Sequence, residues 1–133
     1  MTRTGEVDFG TLLGFRVALR RFLHWSEEQA KSVGLTPAQH QLLLCVRGSA
    51  ARAGPTIGDI AECLMLRHHS AVELVDRAEL AGIVVRHSDP DDARVSRVRT
   101  SAKGSKLLSK LTDAHLEELG RLGALLRPIV DDE

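Results

Sequence analysis

The side chains best suited to chemistry form one basic run, over residues 93–112. No acidic side chain interrupts the run, and its six cationic residues are Arg94, Arg97, Arg99, Lys103, Lys106 and Lys110. Guanidinium and ammonium groups bind phosphate, so the run suits a nucleic-acid backbone. A solvated protein face would have the same composition. The formal net charge of the whole chain is zero at pH 7 and does not decide between these interpretations.

A histidine pair and two cysteines could bind a metal ion or sense oxidation. His68 and His69 are adjacent, and adjacent side chains on a helix point about 100° apart, so they cannot easily chelate one ion. A third ligand would have to come from elsewhere, such as His87, Cys63 or a partner chain. Cys45 and Cys63 lie in separate apolar segments, which indicates two buried thiols in a reducing cytosol. An oxidation sensor is the alternative, and it requires an exposed thiol near a cationic group.

Catalytic motifs are not apparent in the sequence. There is no Gly-x-Ser-x-Gly turn, no Gly-rich phosphate loop and no carboxylate pair in a plausible cleft. The acidic cluster of Asp89, Asp91 and Asp92 lacks the remainder of a calcium-binding loop. We therefore expect a protein that is not an enzyme and that carries no metal or cofactor.

The composition is that of one soluble, mainly helical domain. The 133 residues are 43% hydrophobic and 27% charged, with only three Phe, one Trp and no Tyr. The core must be built largely from Leu, Val, Ile and Ala, which suits helices better than a large sheet. The first ten residues lack the apolar run of a signal peptide, and no stretch approaches the roughly 20 apolar residues of a membrane span. We expect one cytoplasmic domain over residues 1–133.

Apolar residues recur at helical spacing near both ends of the chain, over residues 9–33 and 104–130. Each of these helices has one face too apolar to be stable alone in water. The two helices could pack on each other within one chain. We expect that they also pair with the same helices of a second chain, giving a two-fold symmetric homodimer.

The central residues, 35–100, have the pattern of a winged helix. Two helices, over 57–64 and 68–81, are joined by a tight turn and predict a helix-turn-helix. Two strands, over 83–85 and 95–100, flank the turn-forming sequence Ser-Asp-Pro-Asp-Asp and predict a hairpin, or wing. The predicted fold class is mainly α (α+β), a winged helix-turn-helix with flanking N- and C-terminal dimerisation helices.

Short motifs follow one another along this framework. They are Leu-Thr-Pro-Ala-Gln at 35–39, Thr-Ile-Gly-Asp-Ile-Ala-Glu-Cys-Leu at 56–64, Val-Asp-Arg-Ala-Glu-Leu-Ala-Gly-Ile-Val at 75–84 and Asp-Pro-Asp-Asp-Ala-Arg at 89–94. Each motif is weak alone, but in this order and spacing the sequence resembles the MarR family of bacterial regulators. It departs from the family at the wing, where Ala93-Arg94 stands in place of a common basic pair.

The resemblance implies a homodimer that binds a pseudo-palindromic DNA operator and usually represses transcription. A recognition helix leads with its N-terminal residues into the major groove, and an arginine of the wing reaches the minor groove. The predicted DNA-binding residues are Arg67, His68, His69, Ser70, Glu73, Arg77, Arg94 and Arg97. We expect Asp92 to orient Arg94. Asp76 and Glu79 oppose DNA contact, and we expect them to point sideways or to pair with arginines.

The resemblance also implies a small-molecule effector pocket between the dimerisation helices and the DNA-binding lobes. His24, Trp25 and His40 are the candidates by chemistry and position, although a packing tryptophan and solvated histidines would explain them equally well. An effector would release DNA only if it bound the two states of the protein with different affinity. The alternative function is a winged-helix protein–protein interaction module without DNA binding, which the acidic Glu73 and Asp76 favour.

Overall fold

A computed structural model describes residues 8–130 of the chain. Its elements, in chain order, are α1 (Phe9–Ser32), α2 (Pro37–Gly48), α3 (Ile57–Leu64), α4 (His68–Leu80), β1 (Val84–Ser88), β2 (Ser96–Thr100) and α5 (Ala102–Val130). Helix pairs followed by a two-stranded hairpin and a long helix confirm the predicted mainly α, winged-helix class. The predicted domain of residues 1–133 extends beyond the described residues at both ends.

Capping boxes fix the starts of α2 and α3. The Gln39 N–H donates to Thr36 Oγ1 and the Thr36 N–H donates to Gln39 Oε1, both at 3.1 Å. Thr56 and Asp59 exchange the same two bonds, at 3.0 and 3.1 Å. Each such cap is worth about 1 kcal/mol, because it satisfies N–H groups that a helix start leaves unpaired. The first residues of both helices are thereby set before tertiary packing acts.

The turn of the helix-turn-helix is made by Met65, which ends α3 with a left-handed backbone (φ 55°, ψ 45°). The Leu66 N–H donates back to Ala61 O at 2.8 Å, which closes the end of α3. A residue with a Cβ pays on the order of 1 kcal/mol for this conformation. The turn sets the direction in which α4 leaves α3.

The hairpin is a two-stranded antiparallel sheet in which Val84 is paired with Thr100 and Arg86 with Val98. Side chains alternate between the faces of a strand, so Val84 and Val98 enter the core while Val85 and Arg99 are exposed on the other face. The turn between the strands is held by the Asp89 carboxylate, which accepts the N–H groups of Asp91 and Asp92 at 2.9 Å each.

Close backbone contact joins the start of α5 to the hairpin at Gly104. A Cβ on Gly104 would stand 2.0 Å from the carbonyl oxygen of Ile83, so only glycine fits there. Around this contact lies one hydrophobic core, contributed by α1, α2, α3, α4, α5 and both strands. Its largest fully buried hydrophobic side chains include Leu42, Leu43, Ile60, Val75, Ile83, Val84 and Val98.

The outer parts of α1 and α5 carry apolar side chains that the single chain leaves exposed. They include Phe9, Leu12, Leu13, Leu23, Leu116, Leu119 and Leu125. A groove of about 670 Å³ runs between the two helices and is bordered mainly by leucine, valine and glycine. None of the helices within residues 8–130 is long and apolar enough to cross a membrane.

Candidate nucleic-acid interface

The N-terminal turn of α4 is open to solvent. Arg67 precedes the helix without capping it, and Arg67, His68 and His69 are all exposed. A helix start without a side-chain cap leaves N–H groups available to an outside acceptor such as phosphate. Ser70, also predicted to contact DNA, is half-buried.

Farther along α4, Glu73 and Arg77 lie on the face away from the core. The buried face is formed by Ala71, Val75 and Ala78. Glu73 follows Ala71 by two positions and Arg77 follows Val75 by two, which is a rotation of about 200° on a helix. Both side chains are exposed, and they continue the solvent-facing surface that starts at the first turn.

On the hairpin, Arg94 is held by Asp92 in a two-point contact. Arg94 Nε donates to Asp92 Oδ1 and Arg94 Nη2 donates to Asp92 Oδ2, both at 3.0 Å. The Arg94 side chain is nevertheless 90% exposed. The guanidinium keeps the pKa of Asp92 below its usual range, so the carboxylate stays ionised at neutral pH. The expected pairing is therefore present, and its use in DNA binding stays a prediction.

Arg97, also predicted to contact DNA, has two partners within the chain. Its guanidinium forms an ion pair with Asp89 and donates to the carbonyl oxygen of Gly54 at 2.8 Å. Only 23% of the side chain is exposed. The ion pair also holds the pKa of Asp89 below its usual range. Arg97 thus ties the hairpin to the loop before α3, and its use in DNA binding stays a prediction.

Arg86 was not singled out in the sequence, yet it forms ion pairs with two acids on α4 and offsets one of their two negative charges. Its Nη1 donates to Glu79 Oε1 at 2.7 Å and its Nη2 donates to Asp76 Oδ1 at 2.6 Å. The expectation that Asp76 and Glu79 pair with an arginine is thus confirmed. Strand alternation was the available signal, because Arg86 must share the face of Val84, which packs toward the helices.

The amino-acid sequence is similar to a known family and to a known protein. Residues 33–95 match the model of the MarR family. This match spans 63 of the chain's 133 residues, so the central part of the chain is similar to that family. The chain is 26% identical over 122 residues to YkoM of Bacillus subtilis, an uncharacterised HTH-type transcriptional regulator, covering 90% of this chain and 77% of YkoM.

Two solved MarR-type structures share the fold. MepR of Staphylococcus aureus, in a complex with DNA, has a TM-score of 0.71 at 21% identity and covers 90% of this chain and 85% of its own. MarR of Escherichia coli, in its apo form, has a TM-score of 0.67 at 20% identity and covers 87% and 86% respectively.

Two of the three effector candidates, His40 and Trp25, meet at one cluster of rings, and His24 lies apart from it. His40 is buried, with 2% exposure, where α1, α2 and α5 meet. Its ring packs 4.8 Å from His115 of α5, and Trp25 packs 4.7 Å from the same ring. His24 is exposed, borders a separate groove and lies 4.0 Å from Glu28, so it does not join this cluster.

His115 and Ser26, which sequence reasoning missed, complete the cluster. The Leu111 carbonyl oxygen lies 2.8 Å from His115 Nδ1 and can only accept, so Nδ1 carries a proton. In the neutral ring Nε2 then accepts from Ser26 Oγ at 2.7 Å. Burial, together with His115, lowers the pKa of His40 from 6.5 to about 4. The cluster borders a largely apolar cleft of about 290 Å³.

The two thiols of the chain differ in environment. Cys63 is exposed, so the prediction of two buried thiols is wrong for it, while Cys45 is half-buried. Burial and a hydrogen bond with Cys63 raise the pKa of Cys45 to about 12. Cys45 is therefore a protonated, poorly nucleophilic thiol at neutral pH. Within residues 8–130, no three His, Cys, Asp or Glu side chains are grouped to hold a metal ion.

Proposed function

We propose that this protein is a cytoplasmic transcription regulator, not an enzyme, that binds a pseudo-palindromic operator as a homodimer and represses. The observation that carries the proposal is the state of α4. Its first turn is uncapped and exposed, while Asp76 and Glu79 farther along are both paired with Arg86, which offsets one of their two charges. A similar MarR-type protein, MepR, has been solved in a complex with DNA.

The first turn of α4 is proposed to enter the major groove. Arg67, His68, His69 and Ser70 offer donors for base edges and phosphates, and the helix N-terminus favours phosphate. Glu73 could accept from the amino group of cytosine, and Arg77 adds a charge one turn farther along. With both acids of the second half paired to Arg86, less negative charge faces the phosphates.

The wing is proposed to place Arg94 in the minor groove. A narrow, A·T-rich groove has enhanced negative potential, which attracts an inserted arginine. The two-point contact with Asp92 limits the rotamers of a side chain that is otherwise free in solvent. Less conformational entropy is then lost on binding.

The exposed apolar surfaces of α1 and α5 are the proposed dimer interface. A face with this many exposed leucines is larger than soluble monomers usually leave uncovered. Two-fold pairing would bring two copies of α4 to successive major grooves, with half-sites about one helical turn apart.

The cleft beside His40 is the proposed effector site. Its walls come from α1, α2 and α5, so a ligand there contacts both the dimerisation helices and the first helix of the DNA-binding lobe. A molecule that fits only one arrangement of these helices would change operator affinity.

Selection from a pool of random duplex DNA with the purified full chain tests the proposal. We expect enrichment of an inverted repeat. Binding of that repeat, followed by fluorescence anisotropy, should weaken steeply as salt rises, because phosphate contacts release counterions. Arg94→Ala should weaken binding by about 1–3 kcal/mol, whereas Lys31→Ala, which removes an exposed cation from the last turn of α1, should not.

The alternative is a winged-helix interaction module, which the exposed Glu73 on α4 favours. That function would give no enriched repeat and a weak dependence on salt. An enriched repeat with unchanged affinity in Arg94→Ala would keep the regulator and reject the proposed role of the wing.

A further inference from the structure

A second basic surface borders a cleft of about 510 Å³. The cleft is formed by the end of α2, the loop before α3, β2 and the start of α5. Three arginines line it, Arg47, Arg52 and Arg99, and all three are exposed. Arg99 lies on the face of the hairpin opposite to Arg86, because odd and even positions of β2 face opposite ways and Arg86 pairs with Val98. Neither Arg86 nor its partners Asp76 and Glu79 line the cleft, so the cleft is distinct from the surface where Arg86 meets α4.

The charge of this cleft is not compensated within the described residues. No acidic side chain lines it, and none of its three arginines has a carboxylate partner there. Arg86, Arg94 and Arg97 each have at least one carboxylate partner. Arg99 instead has its Nη2 3.2 Å from the imidazole Nδ1 of His87. Excess positive charge thus accumulates at the cleft.

Neutral hydrogen-bonding groups accompany the arginines. The hydroxyls of Thr100 and Ser105 lie 2.7 Å apart at the cleft, and because only one donates to the other, one hydroxyl proton stays available. Ser49 adds a further hydroxyl. Near Gly54, at the edge of the cleft, His87 Nε2 is buried without a hydrogen-bond partner among the described residues. Unsatisfied buried polar atoms are uncommon in native proteins.

We propose that this cleft binds a phosphoryl group. Guanidinium forks match phosphate oxygens in geometry and charge, and hydroxyls supply the additional donors that phosphate accepts. A volume of about 510 Å³ is within the range of small-ligand sites, so a free phosphorylated molecule fits. A phosphate of the DNA backbone has the same chemistry, and only that source rests on the proposed function.

Calorimetric titration of the full chain with inorganic phosphate and with pyrophosphate, at constant ionic strength, tests the proposal. The variants are Arg47→Gln and Arg99→Gln, which remove charge from exposed positions while keeping a polar side chain. Lys31→Gln is the matched control, because Lys31 is also an exposed cation but lies in the last turn of α1, outside the cleft and beyond the exposed apolar residues of that helix. If the source is a free molecule, pyrophosphate should bind the natural chain and the control with the same affinity. Its affinity for each cleft variant should be roughly tenfold lower.

The second arm measures affinity for the selected DNA against salt. If the source is the DNA backbone, each cleft variant should bind every DNA sequence more weakly by about the same factor. The slope of log affinity against log salt concentration should fall by about 1 in magnitude. A loss of affinity in either arm that is absent from Lys31→Gln supports the phosphoryl site. Pyrophosphate and DNA affinities unchanged in both variants would overturn it. The proposed regulator fails separately, through absence of an enriched repeat in the natural chain.

Discussion

Acidification should destabilise this protein through His40. The imidazole is buried where α1, α2 and α5 meet, and its pKa falls from 6.5 to about 4. Its surroundings explain the direction: burial disfavours the charged form, and His115 of α5, 4.8 Å away, opposes a second positive charge. Ser26 of α1 also lies in this region and is uncharged. Glu27 of α1 borders the same groove as His40, but its carboxylate is exposed to solvent.

The sign follows from proton binding in the two states. Between pH 6.5 and about 4 the unfolded chain protonates His40 and the folded chain does not, so acid favours unfolding. The stabilising contribution is complete above pH 6.5 and is lost as the pH falls toward 4. Each pKa unit is worth about 1.4 kcal/mol, which gives a loss of about 3 kcal/mol. Domains are stable by only about 5–15 kcal/mol, so this loss is easily measured.

Urea unfolding at several pH values, followed by Trp25 fluorescence, measures the effect. Trp25 is the only tryptophan and packs on His115, so it reports on this junction. The matched variant is His40→Gln, which keeps a polar group and cannot titrate. Its free energy of unfolding should decline less between about pH 7 and pH 4.5, at the same protein concentration. Parallel pH curves for the natural chain and His40→Gln would refute the reasoning.

Further substitutions test the contacts that hold the hairpin and α5. Arg97→Ala should lower the free energy of unfolding by about 1–3 kcal/mol, because it leaves Asp89 unpaired; unchanged stability with weaker DNA binding would instead place Arg97 at the DNA. Arg86→Gln should weaken DNA binding, most at low salt, by unmasking Asp76 and Glu79; if replacing both acids with amides in that variant does not restore affinity, the explanation fails. Gly104→Ala should lower the melting temperature, because the new Cβ would stand 2.0 Å from a backbone oxygen. Gly120→Ala, in open space on the same helix, should not lower it.

The fold could be predicted because its information is local. Capping boxes at Thr36 and Thr56, apolar stripes and turn residues each act within a few positions of the chain. The end of β1 was harder to predict from the sequence. The sequence predicted a strand ending at Val85, whereas β1 continues to Ser88, because pairing with β2 extends it through polar residues. Cross-strand bonds outweigh the polar composition of that segment.

The candidate site was predictable only where partners are close in sequence. Asp92 and Arg94 are two residues apart, and their pairing follows from turn chemistry. The partner of Arg97 is a carbonyl oxygen at Gly54, 43 positions away, and no side-chain pattern marks it. His40 and His115 meet only because α5 passes α2 at one particular rotation, which periodicity does not define.

The zero net charge of this chain conceals how its surface would interact with a polyanion. Arg86 and Arg97 are neutralised by acids in the folded chain and contribute little field outside it. Arg94 is also paired, but in water an exposed ion pair is worth only about 0–1 kcal/mol, so Asp92 orients this side chain without holding it back. Arg47, Arg52 and Arg99 have no acidic partner among the described residues. The salt dependence of binding should therefore follow the unpaired cations that meet phosphate, not the total number of arginines.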